Sequence, residues 1–296
     1  MMKKALLLVN ANAGRMRIRT ELIYVVDRLS KAEYETVVYT TQDAKTTDKV
    51  LHELDSRFEL VICCGGDGTY NQMMAGTMQW EKPPILGYIP TGTTNDFASG
   101  IHLSSNIRTA VDDIVNGSPH TFDAGMFNQR YFSYVASFGA FTEASYSTPQ
   151  NAKNIFGHLA YLMEGMKELS ALSEYHVRLQ FDDQVIDDQF AFVSVSNARS
   201  MGGVIRIKDS DVDLNDGLLE ILLIKLPKNP IELSQLMTAV NTQTFKASTI
   251  MVFQTSEVHI HLDQDYPWTL DGEKAYGGTD VEIRCIKDAY RLITPD

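Results

Sequence analysis

The sequence has few cysteines, no long apolar run and a shortage of basic residues. Its 296 residues include three cysteines, an adjacent pair at Cys63 and Cys64 and a distant Cys285, and this spacing fits neither a metal site nor a redox motif. The longest apolar runs, such as residues 5–9 and 218–224, are far shorter than the roughly 20 residues of a membrane-spanning helix. We therefore expect a cytoplasmic protein with reduced structural thiols.

The charge balance narrows the set of partners. Lysine and arginine total 26 and aspartate and glutamate total 38, which gives a net charge of −12. General binding to nucleic acid requires a basic surface, so we expect no nucleic-acid partner. Strong electrostatic attachment to anionic lipid is disfavoured for the same reason, whereas a local basic patch or hydrophobic docking stays compatible with the composition.

The amino terminus imitates a signal peptide without matching one. Two methionines and two lysines precede the apolar residues 5–9, but this run is short and leads straight into the small and polar residues 10–14. A buried strand is the better interpretation, and we expect the protein not to be secreted.

Over roughly the first 125 residues, short apolar runs alternate with stretches in which apolar residues recur at helical spacing. The runs predict strands at residues 5–9, 36–39, 60–64 and 85–89. The helical stretches cover residues 18–29, 50–54 and 107–115. This alternation predicts a parallel, doubly wound α/β sheet.

The remainder of the chain is rich in strand patterns. Apolar residues predict strands at residues 190–196, 218–224, 258–262 and 281–286. Turn signals such as Asp271-Gly272 separate them, so we expect an antiparallel β-sandwich or barrel as a second domain. Residues 155–172 are an exception, because their apolar residues follow helical spacing. Packing of this helix on the β domain is favoured over a lipid-facing role.

The segment Gly65-Gly66-Asp67-Gly68-Thr69 directly follows the predicted strand at residues 60–64. Its glycines permit positive φ angles and let the backbone approach a ligand closely. Successive backbone N–H groups, helped by the start of a helix near Asn71, suit a phosphate. An acid in such a loop needs a bridging cation, so Asp67 is a candidate to hold Mg²⁺ or to take a proton. The alternative is a glycine-rich turn in which Asp67 caps the helix.

A second polar loop, Pro90-Thr91-Gly92-Thr93-Thr94-Asn95-Asp96-Phe97-Ala98, follows the predicted strand at residues 85–89. Hydroxyl, amide and carboxylate groups are concentrated there, between the end of a strand and the start of a helix. Ligands of open α/β sheets bind at the carboxyl ends of the strands. Because residues 10–14 also follow a strand, all three segments are expected to share one crevice, and together they predict a nucleotide-binding site.

In combination, the two loops resemble those of the diacylglycerol-kinase catalytic domain superfamily, and within it those of the soluble bacterial diacylglycerol and lipid kinases. The resemblance covers nearly the whole chain and includes residues 137–142, Asn197, Gly202-Gly203, Asp216-Gly217 and Asp271-Gly272-Glu273.

This resemblance implies a division into two domains. Residues 1–124 would form an α/β ATP-binding catalytic domain to which residues 288–296 return, and residues 125–287 would form a β-sandwich lipid-substrate domain. The active site would lie in the cleft between the two domains.

The resemblance also implies a binding site for ATP. Its contacts would come from Asn10, Ala11, Asn12, Ala13, Gly14, Thr41, Gly65, Gly66, Asp67, Gly68, Thr69, Tyr70, Asn71, Thr93 and Asn95. Asp67 and Asp96 would be catalytic residues that position Mg²⁺ and the phosphates. Either Asp271 or Glu273 would accept the proton of the substrate hydroxyl, because two carboxylates around one glycine create a dense negative field that favours a general base. The alternative for this pair is an exposed β-hairpin turn.

Four acids within eight residues, Asp209, Asp211, Asp213 and Asp216, resemble the structural Mg²⁺ site of the same family. Asp211 and Asp216 would provide side-chain ligands, and Asp213 and Leu218 would provide backbone carbonyls. Such acids repel one another unless water or a cation separates them. A solvated acidic loop is the alternative.

The leading hypothesis is an ATP-dependent, Mg²⁺-requiring lipid kinase that converts diacylglycerol to phosphatidic acid. A NAD kinase-like enzyme, whose family shares the first glycine loop, and a nucleotide- or lipid-binding regulator with weak or no catalysis are the alternatives. The hypothesis further implies a cytoplasmic protein in transient peripheral contact with a membrane, and a homodimer is compatible with the family.

Three positions depart from the family pattern. Ala11 and Ala13 stand where a proline and a serine are usual, and Gln72 stands where many members have glutamate. These changes can reduce ATP affinity or turnover, but none of them removes a presumed metal or base residue.

Two other features invite a functional interpretation. His259 and His261 share one face of an alternating strand, but no third metal ligand suggests itself and an exposed polar face is favoured. Trp268 precedes Asp271 closely and either forms a wall of the acceptor site or packs in the core.

Overall fold

The computed structural model describes residues 2–10, 18–41, 44–54, 56–139, 173–198, 200–201, 205–206, 213–242 and 247–295. Predictions for Ala11, Asn12, Ala13, Gly14, residues 140–142 and 155–172, Gly202, Gly203, Asp209 and Asp211 lie outside these residues. The chain divides into two compact units, Met1–Asp123 with Asp288–Asp296, and Ala124–Lys287.

The first unit contains a parallel sheet with intervening helices. Its elements are β1 (Lys3–Asn10), α1 (Ile18–Lys31), β2 (Tyr34–Thr41), α2 (Ala44–Glu53), β3 (Leu60–Gly65), α3 (Asp67–Thr77), β4 (Ile85–Pro90), α4 (Asp96–Gly100) and α5 (Ile107–Asn116). Strand β1 pairs in parallel with β2 and β3, and β3 pairs in parallel with β4. The strands and helices predicted for this part of the chain are confirmed, including the buried strand near the amino terminus.

Helices cover both faces of this sheet, as a doubly wound fold requires. Leu7 of β1 packs in a core with residues of α1 and α5, and the Arg28 guanidinium of α1 contacts the Asp112 carboxylate of α5 at 2.5 Å. Leu8, the next residue of β1, is also buried and points to the opposite face, because side chains alternate along a strand. The helices α2 and α3 pack against each other, and the Trp80 indole donates a hydrogen bond to the Leu51 carbonyl at 3.1 Å.

The second unit consists mainly of antiparallel strands. β5 (Ser118–Phe127) enters it from the first unit. The later elements are β6 (Arg130–Phe132), β7 (Val135–Gly139), β8 (Tyr175–Phe181), β9 (Gln184–Phe190), β10 (Phe192–Ser196), β11 (Ser200–Met201), β12 (Ile205–Arg206), β13 (Leu219–Ile224), α6 (Pro230–Thr242), β14 (Ile250–Thr255), β15 (Glu257–Leu262), β16 (Trp268–Leu270), β17 (Glu273–Ala275) and β18 (Asp280–Thr294).

Two sheets of this unit enclose an apolar core. One has the order β14-β13-β10-β7-β16-β17, and in the other β15 pairs with β8 and with the first residues of β18, while β9 pairs with β8. Phe138 of the first sheet and Val177 of the second are both fully buried in this core. Trp268 packs there as well, with its ring centroid 4.5 Å from that of Phe138 and 5.0 Å from that of Phe127. The predicted β-sandwich is confirmed, and Trp268 is a core residue.

The long strand β18 returns the chain to the first unit. Its residues Arg291 and Leu292 pair in parallel with Ile85 and Leu86 of β4. Asp288 has a φ of 53°, and its backbone N–H donates a hydrogen bond to the buried Asp123 carboxylate at 2.8 Å. The last residues of the chain therefore extend the parallel sheet to the order β2-β1-β3-β4-β18.

Three features differ from the sequence-based prediction. Helix α3 begins at Asp67 instead of near Asn71. The strand predicted at residues 190–196 is interrupted at Ala191, where β9 ends and β10 has not yet begun. The prediction also omits α6, although its buried residues Leu233, Leu236 and Ala239 recur at helical spacing.

Other sequence expectations are confirmed. Cys63 and Cys64 are buried free thiols in β3. His259 and His261 lie on the exposed face of β15, where their rings contact the carboxylates of Glu257 and Asp280. None of the helices within the described residues is long and apolar enough to span a membrane.

Candidate active site

The carboxyl edge of the parallel sheet brings the predicted nucleotide-binding segments together. Asn10 at the end of β1 pairs with the buried Thr41 at the end of β2. The Asn10 amide also donates a hydrogen bond to the Thr69 hydroxyl at 3.1 Å, in the first turn of α3. In the strand order β2-β1-β3-β4, the direction of the chain across the sheet reverses between β1 and β3. Open α/β sheets bind ligands at this switch point, outside the carboxyl ends of the strands.

The two polar loops touch through their backbones. The N–H groups of Thr91 and Gly92 donate hydrogen bonds to the Gly65 carbonyl at 2.8 and 3.1 Å. A Cβ atom added to Gly92 would lie 2.5 Å from the Gly66 Cα atom and 2.6 Å from the Asn95 side chain. Glycine is required at position 92 because any side chain would push the loops apart.

The sequence allows two uses for the glycines of the first loop, positive φ angles and close approach of the backbone, and the structure shows close approach. Gly66 is extended, with φ of −95° and ψ of −175°, and the described glycines with positive φ are Gly139, Gly217, Gly272 and Gly278. The glycines of the first loop therefore serve close approach of the backbone. A Cβ atom added to Gly65, for instance, would lie 2.6 Å from the Thr69 side chain.

Asp67 is the first residue of α3, and Gly66 is the N-cap. The Asp67 side chain is 8% exposed, and its Oδ2 atom accepts a hydrogen bond from the Asp96 backbone N–H at 2.8 Å. The alternative interpretation, in which Asp67 caps its helix, is therefore wrong. The Asp67 side chain joins the first loop to the second. A carboxylate at this position is stabilised by the helix dipole.

The second loop presents both buried and exposed polar groups. Asn95 adopts the left-handed conformation at φ of 54°, and its side-chain amide donates to the Gly92 carbonyl at 3.1 Å. Burial raises the pKa of the Asp96 carboxyl. Asp96 is half-buried, and its backbone N–H contacts the Asp67 carboxylate. Two acidic residues joined in this way fit a hard divalent cation, which uses few protein oxygens when phosphates and water complete its shell. Thr93 is exposed, so its hydroxyl is accessible to a ligand.

Not every predicted nucleotide contact presents its side chain at the surface. Tyr70 is fully buried, with its ring stacked between those of Tyr88 and Phe97 at centroid distances of 4.7 Å. Asn71 is also buried. Any contact between Tyr70 and a nucleotide would therefore be made by its backbone.

The Asp271-Gly272-Glu273 segment is a tight turn between β16 and β17. Asp271 and Gly272 have positive φ angles of 50° and 84°. Asp271 is 4% exposed, and both of its oxygens are occupied: Oδ2 accepts from the backbone N–H and hydroxyl of Ser133, and Oδ1 accepts from two further backbone N–H groups. Burial raises the pKa of the Asp271 carboxyl, and these hydrogen bonds oppose that change.

Glu273 differs from Asp271 in exposure and in its partner. Its side chain is 41% exposed, and its Oε2 atom accepts a hydrogen bond from the Arg130 guanidinium at 2.8 Å. The expectation of an exposed hairpin turn thus holds for Glu273 but not for Asp271. One carboxylate fixes the turn, and the other is presented to solvent.

The acidic loop before β13 is only partly described. The Asp213 carboxylate accepts a hydrogen bond from the Asn215 N–H at 3.1 Å, and the Asp216 carboxylate accepts one from the Leu218 N–H at 2.8 Å. In the described part of the chain, no three histidine, cysteine or acidic side chains converge into a metal-binding group. Each of the two carboxylates turns one oxygen to a backbone N–H of its own loop, two residues further along the chain.

Several residues of these sites have no counterpart in the sequence prediction. Tyr88 reaches the two polar loops from β4, Arg130 and Ser133 bind the carboxylates of the turn, and Asp123 binds the backbone of β18. Of these four residues, only Asp123 could have been noticed in the sequence. It is an acid within an apolar strand pattern, and because an unpaired buried charge is costly, such an acid indicates a partner.

Two family models match the chain. Residues 4–127 match the diacylglycerol kinase catalytic domain, and residues 135–294 match the YegS C-terminal NAD kinase beta sandwich-like domain. Together with the open α/β sheet, the paired loops and the sandwich, these matches define a kinase, an enzyme that transfers a phosphoryl group. The chain belongs to the diacylglycerol kinase family.

Individual relatives agree with this assignment. The diacylglycerol kinase of Staphylococcus carnosus is 33% identical over 280 residues, which cover 94% of this chain and 90% of the relative. The diacylglycerol kinase of Bacillus subtilis is 31% identical over 280 residues, covering 94% and 91%. The crystal structure of a diacylglycerol kinase from Bacillus anthracis has the same fold, with a TM-score of 0.77 at 23% identity, covering 99% of this chain and 97% of that one.

Proposed function

We propose that this protein is an ATP-dependent, Mg²⁺-requiring lipid kinase that transfers the γ-phosphate of ATP to the free hydroxyl of diacylglycerol and releases ADP and phosphatidic acid. In this reaction the bond between the γ-phosphorus and the bridging oxygen of ATP breaks, and a bond forms from the lipid oxygen to phosphorus. Family membership carries the proposal, because the relatives that cover nearly the whole chain are named diacylglycerol kinases.

The nucleotide is proposed to bind at the carboxyl edge of the parallel sheet. Asn10, Thr41, Thr69 and Thr93 lie at this edge or in the loops that follow it. Backbone N–H groups of the first loop and the start of α3 supply donors for phosphate. Ala11, Asn12, Ala13 and Gly14 are proposed to complete the site, and Mg²⁺ held by Asp67 and Asp96 would neutralise the phosphate oxygens.

Glu273 is proposed as the group that takes the proton of the lipid hydroxyl. Both candidate carboxylates lie on the same turn, but Asp271 is buried and already accepts four hydrogen bonds. A general base must come within hydrogen-bonding distance of the proton that it removes. Glu273 is accessible to an external hydroxyl, and the Arg130 guanidinium at 2.8 Å orients it. The proposed role of Asp271 is to hold the turn.

The two units are proposed to divide the work. Residues 1–124 with 288–296 would bind ATP, and residues 125–287 would bind the lipid. Asp211, Asp213, Asp216 and Leu218 are proposed to hold a structural Mg²⁺ in the second domain. A cytoplasmic protein of this kind would contact the membrane peripherally during turnover, and a homodimer is the proposed assembly.

The test is the transfer of labelled γ-phosphate from ATP in the presence of Mg²⁺. Diacylglycerol, monoacylglycerol, ceramide and sphingosine would be offered in mixed micelles, with NAD as a separate acceptor. We expect labelled phosphatidic acid from the wild type. Glu273→Gln should slow the transfer by about 10²–10⁴-fold while leaving ATP binding intact, because it removes the base and keeps the shape of the side chain.

The other outcomes identify the alternatives. Labelled NADP would support a NAD kinase-like enzyme. The second matching family model is itself described as a NAD kinase beta sandwich-like domain. ATP binding without transfer to any acceptor would support a regulator. Full activity of Glu273→Gln, in turn, would rule out Glu273 as the base without affecting the assignment as a kinase.

A further inference from the structure

Tyr88 lies near the carboxyl end of β4, two residues before Pro90. Its side chain is 1% exposed, and a phenol hydroxyl buried in a sheet needs a hydrogen-bonding partner. The hydroxyl lies 3.4 Å from Asp67 Oδ1 and 3.4 Å from Asn95 Oδ1. Asp67 belongs to the first polar loop and Asn95 to the second. Tyr88 therefore contacts both loops from the strand that supports the second.

The ring of Tyr88 has little freedom to move. It stacks on Tyr70 of α3 with centroids 4.7 Å apart, and Tyr70 stacks in the same way on Phe97 of α4. Phe97 directly follows Asp96. This stack links the helix that follows each loop to β4, and it fixes the place of the Tyr88 hydroxyl.

The Asp67 carboxylate is the charged group of the two that this hydroxyl contacts. Its other oxygen, Oδ2, accepts a hydrogen bond from the Asp96 N–H at 2.8 Å. The carboxylate is thus held on one side by the second loop and on the other by Tyr88. Since both hydroxyl contacts exceed the usual O–H···O range of about 2.5–3.0 Å, one proton serves two acceptors loosely. Contacts of this kind commonly tighten when a ligand binds.

We propose that Tyr88 is a positioning residue for the nucleotide: its hydroxyl keeps Asp67 and Asn95 in the arrangement that receives the phosphates, and it thereby sets the affinity for ATP without touching ATP. The proposal rests on the proposed nucleotide site. The competing explanation is that Tyr88 is a large core residue whose hydroxyl has no role. Phenylalanine distinguishes the two, because it keeps the ring stack and removes the hydroxyl alone.

The first measurement is calorimetric binding of a non-hydrolysable β,γ-imido analogue of ATP with Mg²⁺. We expect Tyr88→Phe to weaken binding by about 2- to 10-fold, the range for loss of one hydrogen bond. The KM for ATP should rise by a similar factor, and the KM for the lipid should not change. Tyr24→Phe is the matched control, because the Tyr24 hydroxyl also contacts a carboxylate, that of Asp112, at 3.3 Å between α1 and α5.

A second measurement tests the route through Asp67. In the Asp67→Asn background, Tyr88→Phe should weaken binding of the analogue by a smaller factor than in the wild type, because the hydroxyl then contacts only uncharged amide oxygens, which form weaker hydrogen bonds than a carboxylate. Equal affinity of Tyr88→Phe and the wild type overturns the proposal, as does an undiminished effect in the Asp67→Asn background. A Tyr88→Phe chain that fails to fold also overturns it by assigning the hydroxyl to folding. A wild type that binds no ATP analogue would instead refute the proposed nucleotide site itself.

Discussion

Ser133 holds the carboxylate of Asp271 with two donors at once, its backbone N–H at 2.5 Å and its hydroxyl at 2.8 Å from Oδ2. The next two backbone N–H groups, those of Tyr134 and Val135, occupy the other oxygen at 3.0 Å. A buried carboxylate is tolerated only when such donors replace its water shell. The turn that carries Glu273 is therefore held by hydrogen bonds from a segment that begins 138 residues earlier in the chain, and both oxygens of the buried carboxylate accept them.

Asp271→Asn should destabilise the second unit by about 2–4 kcal/mol, because an amide loses two acceptor positions and turns N–H groups towards donors. Asparagine tolerates the left-handed backbone that Asp271 adopts, so the backbone does not contribute to this loss. Ser133→Ala removes one donor of four and should cost about 1 kcal/mol. Urea unfolding of the three proteins measures both values. Equal stability of Asp271→Asn and the wild type would contradict a structural role for this carboxylate.

Gly92→Ala should reduce the affinity for an ATP analogue by about tenfold, equivalent to roughly 1.4 kcal/mol. The added methyl group would lie 2.5 Å from the Gly66 Cα atom, so the two loops must separate. Gly100→Ala is the control, since a Cβ atom there has nothing within 4 Å. Calorimetry on both variants gives the comparison. Unchanged binding by Gly92→Ala would show that the contact between the loops is not needed for the nucleotide.

The loops themselves could be located from the sequence because each one follows a buried apolar strand, and parallel strands end at a common edge. The reason for the glycines could not be derived in this way. A run of glycines is compatible with either positive φ or close approach, and only the position of Gly92 against Gly66 distinguishes them. The contact of Tyr88 with both loops could not be predicted either. An aromatic residue in an apolar run predicts core packing, and the sequence does not indicate where its hydroxyl points.

The carboxylate turn illustrates a second limit. Asp-Gly-Glu in the sequence predicts a tight turn with two acids, and the structure contains that turn. Which acid is buried depends on the segment at Ser133, and no local pattern connects two positions so distant in the chain. The second domain could be predicted in type but not in detail, since short strands such as β16 and β17 of three residues carry too little periodicity to be recognised.

His176 should make the stability of the second unit depend on pH. Hydrogen bonds to Asp263 at 3.0 Å and to Asp187 at 2.7 Å raise the pKa of its imidazole above the usual 6.5. Because the folded pKa is the higher one, the stabilisation is complete below the unfolded pKa and is lost as the pH rises through the folded pKa.

The test compares urea midpoints of the wild type and His176→Gln at about pH 5.5 and about pH 9. We expect the variant to be the less stable protein at the lower pH and the two to be equal at the higher pH. His120→Gln is the control, since His120 is exposed and has no carboxylate partner in the described part of the chain. A difference that is the same at both pH values would refute the ionic origin of the effect.

Arg130→Gln should separate stability from catalysis at the Asp-Gly-Glu turn. The Arg130 and Glu273 side chains are 45% and 41% exposed, and an ion pair so accessible to water contributes at most about 1 kcal/mol. The unfolding midpoint should therefore hardly change. Catalysis depends more strongly than stability on the orientation of the proposed base, because a small displacement of a reacting group slows the reaction markedly. We therefore expect kcat for lipid phosphorylation to fall about tenfold.

Arg108→Gln is the matched control for this experiment. Arg108 forms an ion pair with Glu21 at 2.9 Å between α5 and α1 of the first unit, and neither residue belongs to the two polar loops or to the Asp-Gly-Glu turn. Its loss should leave both kcat and ATP binding unchanged. If Arg130→Gln is as active as Arg108→Gln, Glu273 does not need its guanidinium partner. A fall in ATP affinity with constant kcat would place Arg130 with the nucleotide rather than with the base. Only a fall in kcat at constant ATP affinity supports orientation of Glu273 by Arg130.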